Sequence, residues 1–73
     1  DKTVIVKFSA DWCAPCKRLA PIVHEAAKEY GNDIVIIEVN IDKAPTLRHM
    51  FAVEVVPTLI YFKNGMQVDR TNS

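Results

Sequence analysis

Two cysteines, Cys13 and Cys16, are separated by only two residues and are the side chains of this 73-residue chain best suited to chemistry. A pair with this spacing can be a structural disulfide, a metal clip, a redox-active dithiol or an inert pair. A disulfide that closes so short a loop restrains the unfolded chain by only about 2 kcal/mol, less than a long-range disulfide would. The spacing therefore favours redox chemistry over stabilisation.

The position of the two cysteines at a predicted strand–helix junction also favours redox chemistry. The thiolate is the attacking species in disulfide exchange, so a useful cysteine needs a lowered pKa and an accessible position. Unpaired N–H groups at a helix N-terminus favour negative charge, and we expect Cys13 to be the ionised, exposed thiol. Cys16 follows one helical turn later, within reach of a disulfide. Pro15 stiffens the turn between them, and Trp12 offers a flat apolar surface to a docking chain.

Four strands and two helices are predicted around this pair, in the order β-α-β-α-β-β. The predicted strands cover residues 3–8, 34–40, 58–62 and 66–70, and the predicted helices cover residues 14–30 and 44–51. The first two strands are rich in β-branched residues and are joined by a helix, which predicts parallel pairing through a crossover. We expect Asp42 to cap the second helix, and Asn64 with Gly65 to form a tight hairpin turn before an antiparallel last strand.

Composition and charge exclude several classes of partner. Nine Lys and Arg balance nine Asp and Glu, so the formal net charge is zero and no basic field exists for nucleic acid or anionic lipid. The apolar runs are far shorter than the roughly 20 residues that a membrane span requires, and the first residues lack the pattern of a leader. We therefore expect a single ordered domain over residues 1–73, in the cytoplasm, with no nucleic acid or membrane partner.

Several spaced motifs resemble those of the thioredoxin family, in the same order and at matching intervals. They are FSADWCAPCK at 8–17, Pro21, Asn40-Ile41-Asp42, VPTL at 56–59 and FKNG at 62–65. Because these motifs span nearly the whole chain, the resemblance is much more specific than the two cysteines alone. It implies an α/β fold of the thioredoxin-like, three-layer α/β/α type, with a mixed sheet in the strand order two, one, three, four and an antiparallel last strand.

The resemblance also implies a thiol–disulfide oxidoreductase and a role for each site residue. Cys13 would attack the disulfides of protein substrates, and Cys16 would resolve the mixed disulfide. Val56-Pro57 would be a cis peptide facing the cysteines, with the Val56 backbone and the adjacent Thr58 at the substrate chain. No cofactor or metal is expected, and electrons would come from a thioredoxin-reductase-like or another dithiol protein.

Two departures from the thioredoxin pattern concern the active site, one at Ala14 and one at the pair Lys7 and Glu38. Ala14 stands where glycine is usual between the cysteines, which should tune the exchange rather than abolish it. Lys7 occupies the position of the family's buried aspartate, and Glu38 that of its lysine partner in bacterial members. We expect a buried Lys7–Glu38 pair beneath the cysteines, since an unpaired charge there would be costly. Lys7 would favour the thiolate and a more oxidising couple, and Glu38 would accept the proton of Cys16.

A third departure concerns the segments that thioredoxins carry in addition. They have a further strand and helix before the first strand described above, and a helix after the last, and we expect this chain to be a truncated or minimal form. The strand at 34–39 would then be an exposed edge through which the chain associates with itself. Ser73 falls where the family usually has a loop glycine that flanks the substrate groove.

Simpler interpretations of the same residues stay open. A structural zinc site needs four ligands, and only His24 and His49, both expected on helix surfaces, could complete one with the cysteines. Trp12 could be part of the core, Pro57 could be an ordinary trans proline, and Lys7 could bend out to solvent. For the function, the alternative is a binding or scaffold module that retains the cysteines without turnover.

Overall fold

The structure, a computed structural model, describes residues 2–72, so Ser73 and its expected place beside a groove lie outside the described residues. The strands are β1 (Thr3–Ser9), β2 (Ile34–Asn40), β3 (Thr58–Lys63) and β4 (Met66–Thr71), and the helices are α1 (Ala14–Tyr30) and α2 (Pro45–Met50). A short 3₁₀ turn, Gly31–Asp33, joins α1 to β2. The β-α-β-α-β-β order predicted from the sequence is confirmed.

The four strands form one mixed sheet in the order β2-β1-β3-β4, as predicted. β1 and β2 are parallel, with Lys7 beside Glu38, and β4 is antiparallel to its neighbour β3. β3 is also antiparallel to β1, with Thr58 beside Phe8, so β3 runs in the direction opposite to β1 and β2. The short α2 does not carry the chain back across the sheet. For this reason β3 starts at the edge where β1 and β2 end.

The two faces of the sheet are covered by different parts of the chain. On one face, Ile5 of β1 packs in a cluster with Val23 of α1 and with partly buried neighbours from the other strands. On the opposite face, Phe51, which follows α2, packs against Phe8 of β1 and Phe62 of β3, with both ring-centroid distances at 5.9 Å. Helical segments therefore lie on both faces, in the expected three-layer arrangement.

The second helix begins differently from the prediction. Its N-cap is Ala44, which makes no side-chain hydrogen bond, and Pro45 is the first helical residue. The prediction that Asp42 caps this helix is therefore wrong. The backbone N–H of Asp42 donates to Asn40 Oδ1 at 2.9 Å, and its carboxylate accepts a hydrogen bond from Trp12 Nε1 at 2.9 Å. The carboxylate is engaged by the loop before α1 and is not free to cap α2.

Two turns end α1 and connect β3 to β4 as the sequence indicates. Gly31 ends α1 with a positive φ of 61°, and its N–H donates to the carbonyl of Lys28. Asn64 and Gly65 also have positive φ values, 55° and 79°. Positive φ at both central residues is the requirement of the two-residue hairpin turn that suits the twist of the flanking strands. The hairpin prediction is thus confirmed.

The long helix α1 is amphipathic. Its buried residues are Cys16 and Val23, whereas its charged side chains, such as Lys17 and Arg18, are exposed. None of the helices within residues 2–72 combines the length and the apolar character needed to cross a membrane. One stripe of α1 therefore packs on the sheet, and its N-terminal turn contributes directly to the site described below.

We predict that Ile60→Val lowers the free energy of unfolding by about 0.5–1.5 kcal/mol. Ile60 is fully buried in the centre of β3, and a close-packed interior does not fill the space left by a deleted methylene. Urea denaturation followed by circular dichroism measures the change. Ile22→Val is the matched control, because Ile22 is exposed on α1. This substitution should change the free energy of unfolding by no more than about 0.5 kcal/mol. Equal losses in the two variants would contradict the assignment of Ile60 to the core.

Candidate active site

Cys13 and Cys16 form a disulfide at the N-terminus of α1, with their Cα atoms 5.3 Å apart. Cys13 is the N-cap residue and has an extended backbone. Its Sγ accepts a hydrogen bond from the backbone N–H of Cys16 at 3.2 Å. The sulfur therefore takes the place of the side-chain oxygen that usually satisfies an unpaired N–H at this position.

The backbone around Cys13 makes a tight turn between β1 and α1. The N–H of Cys13 donates to the carbonyl of Ala10 at 3.1 Å, which closes the turn after β1. The N–H of Lys17 donates to the carbonyl of Cys13 at 3.3 Å, which is the first helical hydrogen bond. Pro15 lies in the first turn of α1, where its missing N–H costs no hydrogen bond. These local bonds hold the disulfide at the point where the chain leaves the sheet.

Both cysteines are buried, so the expected exposure of Cys13 is wrong for the disulfide form. Each is 3% exposed, and both belong to the hydrophobic cluster that contains Val53. The cap geometry directs Cys13 Sγ toward the helix backbone rather than toward solvent. The residues between the cysteines, Ala14 and Pro15, are exposed and form the accessible surface over the disulfide.

Trp12 lies on the surface, and its indole is held in place by a hydrogen bond. The residue is 67% exposed, which excludes the interpretation as core. Its Nε1 donates to Asp42 Oδ2 at 2.9 Å, and Asn40 Nδ2 donates to Asp11 Oδ1 at 3.2 Å. From the sequence, Asn40 was identified only as part of a motif and Asp42 as part of that motif and as a helix cap, so both of these contacts were missed. Side chains about 30 residues apart leave no periodic signal in the sequence.

The Val56-Pro57 peptide bond is cis, as the resemblance implied. Pro57 is buried and lines, together with Pro15 and neighbouring side chains of α1, a cavity of about 240 Å³. Thr58 is fully buried, and its Oγ1 donates to the carbonyl of Val55 at 2.6 Å, which holds the loop before β3. The structure therefore brings the cis proline to the same end of the sheet as the disulfide.

Lys7 and Glu38 form an ion pair, as expected from their positions in place of the family's aspartate and lysine. Lys7 Nζ lies 3.0 Å from Glu38 Oε1. The Lys7 side chain is 1% exposed and that of Glu38 is 54% exposed, so only the cation is buried. Lys7 does not bend out to solvent. Both residues line an open cleft of about 300 Å³, and Cys16 forms part of its wall.

Within residues 2–72, no three His, Cys, Asp or Glu residues are grouped closely enough to hold a metal ion. His24 is exposed on α1 and His49 is exposed on α2, as expected for surface histidines. The two cysteines are bonded to each other. The described part of the chain therefore provides no ligand set for the metal-clip interpretation.

Comparison with known proteins agrees with this geometry. The protein-family model described as Thioredoxin matches residues 1–73. The chain belongs to the thioredoxin family. It is 39% identical over 66 residues to thioredoxin 1 of Synechococcus elongatus, covering 90% of this chain and 62% of that protein. It is 41% identical over 69 residues to the thioredoxin of Rickettsia felis, covering 94% of this chain and 66% of that protein.

The fold agrees equally well with solved thioredoxin structures. The germline-specific thioredoxin Deadhead of Drosophila melanogaster matches with a TM-score of 0.91 at 27% identity, over 97% of this chain and 68% of that one. The chain spans less than two thirds of the length of the two curated thioredoxins compared above. The residues that the family model matches include both cysteines, the cis Val56-Pro57 peptide and all four strands.

We predict that Asp42→Ala accelerates solvent exchange of the Trp12 indole proton by a factor of about 2–5, the equivalent of a hydrogen bond worth about 0.5–1 kcal/mol. The substitution removes the acceptor of Trp12 Nε1. Hydrogen exchange followed by NMR measures the rate. Asp42→Asn keeps a carbonyl oxygen at this position and should retain most of the protection. Unchanged exchange in Asp42→Ala would contradict the role of this hydrogen bond.

Proposed function

We propose that this chain is a thiol–disulfide oxidoreductase that exchanges its Cys13–Cys16 dithiol with the disulfides of other proteins. The observation that carries the proposal is the disulfide at the N-terminus of α1, beside the cis Val56-Pro57 peptide, in a member of the thioredoxin family. A crosslink between residues so close in sequence adds little stability. Redox chemistry therefore explains the presence of this disulfide better than stabilisation of the fold does.

Cys13 is the proposed nucleophile. In the reduced protein its thiolate attacks one sulfur of the substrate disulfide, whose S–S bond breaks, and the released substrate thiolate takes up a proton. The N–H of Cys16, 3.2 Å from Cys13 Sγ in the disulfide form, and the dipole of α1 stabilise negative charge on this sulfur. A mixed disulfide between Cys13 and the substrate results.

Cys16 is the proposed resolving residue. Its proton passes to Glu38, the proposed acceptor, and its thiolate attacks Cys13 Sγ. The bond between Cys13 and the substrate breaks, the second substrate sulfur leaves as a thiolate that takes up a proton from water, and the Cys13–Cys16 disulfide forms. The dithiol supplies both electrons, so we propose no bound cofactor.

The substrate chain is proposed to lie between Trp12 and Val56. Trp12 provides an exposed aromatic surface beside Cys13. Ala14 is exposed and has a short side chain, so it adds little bulk over the disulfide. Val56 is partly buried, and its backbone would pair with an extended substrate in the manner of an added strand. Thr58 supports this loop through its hydrogen bond to the carbonyl of Val55.

The proposed partners follow from this chemistry. Substrates are proteins with accessible disulfides, and the electron donor is a thioredoxin-reductase-like protein or another dithiol protein. Reduction of protein disulfides is the proposed direction, and the cytoplasm, a reducing compartment, is the proposed location. The balanced charge of the chain does not restrict substrates to one sign of charge.

A binding or scaffold module without turnover is the second candidate. The observation in its favour is the burial of both sulfurs, because an attacking thiolate needs access to a sulfur atom. Such a module would present Trp12 and the surrounding surface to a partner and leave the disulfide intact. The two candidates differ in whether the bond between Cys13 and Cys16 exchanges.

We predict that the chain accelerates insulin reduction by dithiothreitol and that Cys13→Ser abolishes the acceleration. Cys16→Ser should instead accumulate a mixed disulfide with the substrate, because the resolving thiol is absent. Turbidity measures turnover, and non-reducing mass spectrometry detects the mixed disulfide. A wild-type rate equal to that of dithiothreitol alone would favour the scaffold. Equally slow alkylation of both thiols at neutral pH would contradict Cys13 as nucleophile.

We further propose that the chain associates with itself through β2, an edge strand of the described sheet. The N–H of Ile41 donates to the carbonyl of Ser9 at 2.9 Å, so the backbone groups of the odd-numbered residues of this segment face β1. Because backbone groups alternate in direction along a strand, the others point away from β1. These outward-facing residues are Ile34, Ile36, Glu38 and Asn40.

The charge of Glu38 favours one register for this pairing. An antiparallel pair of β2 strands centred on Ile37 joins residues 34 with 40 and 36 with 38 through their outward-facing groups. A register shifted to centre on Glu38 would place two like charges directly opposite each other, which is destabilising. The favoured register also brings together the exposed side chains of Val35 and Ile37 from both copies.

We predict that Ile37→Lys converts a concentration-dependent dimer into a monomer, because it places two ammonium groups opposite each other. Sedimentation equilibrium of the reduced protein measures the association. Val68→Lys is the matched control, since Val68 is an exposed apolar residue of β4, at the other edge of the sheet. A monomeric wild-type chain at high concentration would contradict the proposal, as would equal effects of the two substitutions.

A further inference from the structure

The cleft beside the active site reaches the two cysteines unequally. Cys16 forms part of its wall, together with the ion-paired Lys7 and Glu38, whereas Cys13 is not among the lining residues. The cysteine that caps α1 and the cysteine that lines the cleft together with the buried cation are therefore different residues. A charge in this cleft acts most directly on Cys16.

The two charges of the ion pair are also unequal in their exposure to water. The Lys7 side chain is 1% exposed, while that of Glu38 is 54% exposed. Solvent screens the field of an exposed charge much more than that of a buried one. Within the cleft, the carboxylate of Glu38 therefore cancels the field of Lys7 only in part, and Cys16 experiences a net positive potential.

The remaining charges around the cleft do not change this sign. Asp11, in the loop after β1, and Lys17, on α1, also line the cleft. Both are exposed and they are of opposite sign, so their combined effect at Cys16 is small and screened. Lys7 is the buried charge among the cleft residues.

We propose that Lys7 is a positioning residue that stabilises the thiolate of Cys16, and that Lys7 and Glu38 together set the reduction potential of the dithiol. The inference rests on the proposed disulfide exchange and adds an electrostatic control to it. A cation beside Cys16 favours the reduced, ionised state of the pair, and a couple whose reduced form is stabilised is more oxidising. Glu38 acts in the opposite direction.

Because Lys7 and Glu38 carry opposite charges, removing one charge or the other should shift the reduction potential in opposite directions, and the sign of each shift tests the proposal. Lys7→Met removes the cation while the exposed Glu38 remains solvated, and the buried site receives an apolar side chain of similar length. The Lys7→Met substitution should lower the thiolate population at fixed pH. It should also shift the equilibrium with glutathione by about tenfold, or about 30 mV, towards a more reducing couple. Glu38→Gln should shift both quantities in the opposite direction.

Matched controls separate this effect from a structural one. Lys7→Arg keeps the charge and should keep a potential close to that of the wild type. Lys28→Met removes an exposed lysine that also lies near a carboxylate, that of Glu25 at 3.9 Å, and should leave the potential unchanged. Thermal unfolding of each variant shows whether the fold is retained.

The decisive measurements are the glutathione equilibrium and the thiolate absorbance as a function of pH, and neither requires turnover. An unchanged potential and thiolate titration in Lys7→Met would overturn the proposal, even if insulin reduction by the wild type supports the exchange function. Shifts of Lys7→Met and Glu38→Gln in the same direction would also overturn it. Opposite shifts, with Lys7→Arg close to wild type, would support it.

Discussion

The hydrogen bond between Cys13 Sγ and the N–H of Cys16 joins the fold of this chain to its chemistry. β1 is an inner strand, paired on both sides, so the position of its end at Ser9 is well defined. Four residues later the sulfur of Cys13 caps α1 in the place of an oxygen. The sulfur that stabilises the start of the helix is thus also the sulfur to which the helix N-terminus gives its electrostatic support.

The sheet topology gathers the rest of the site around this junction. β1 and β2 are parallel and end at the same edge of the sheet, and β3 starts there because it runs in the opposite direction. The loops at this edge therefore carry Trp12, Asp42 and the cis Val56-Pro57 peptide. Hydrogen bonds between Trp12 and Asp42, and between Asp11 and Asn40, tie the loop after β1 to the loop after β2.

Lys7 is difficult to explain by stability alone. A buried ion pair seldom contributes more to stability than a well-packed apolar pair would, and a small domain has few other interactions to offset the desolvation of a charge. The carboxylate of Glu38 is half exposed, so the desolvation falls mainly on the lysine. Its location in the wall of the cleft shared with Cys16 gives the charge a functional explanation.

Local patterns in the sequence were sufficient for most of the fold. The spacing of apolar residues and the stop at Gly31 predicted the bounds of α1, and β-branching predicted β2 from Ile34 to Asn40. The Asn64-Gly65 turn predicted the last hairpin, because only a few residue types adopt positive φ easily. The cis state of Val56-Pro57 and the Lys7–Glu38 pair followed from the resemblance to thioredoxins rather than from local pattern.

Other features were decided only by the tertiary structure. The sequence predicted that Asp42 would cap α2, but its carboxylate instead binds Trp12, 30 residues away. The burial of Cys13 depends on its packing in a cluster with Val53, and the unequal exposure of Lys7 and Glu38 depends on β1 being an inner strand and β2 an edge strand. Periodicity and turn propensity are properties of neighbouring residues. Burial and side-chain partnership arise where distant segments meet, and for this reason the sequence by itself determined the elements and the cysteine pair, while the tertiary structure decided the environment of each sulfur.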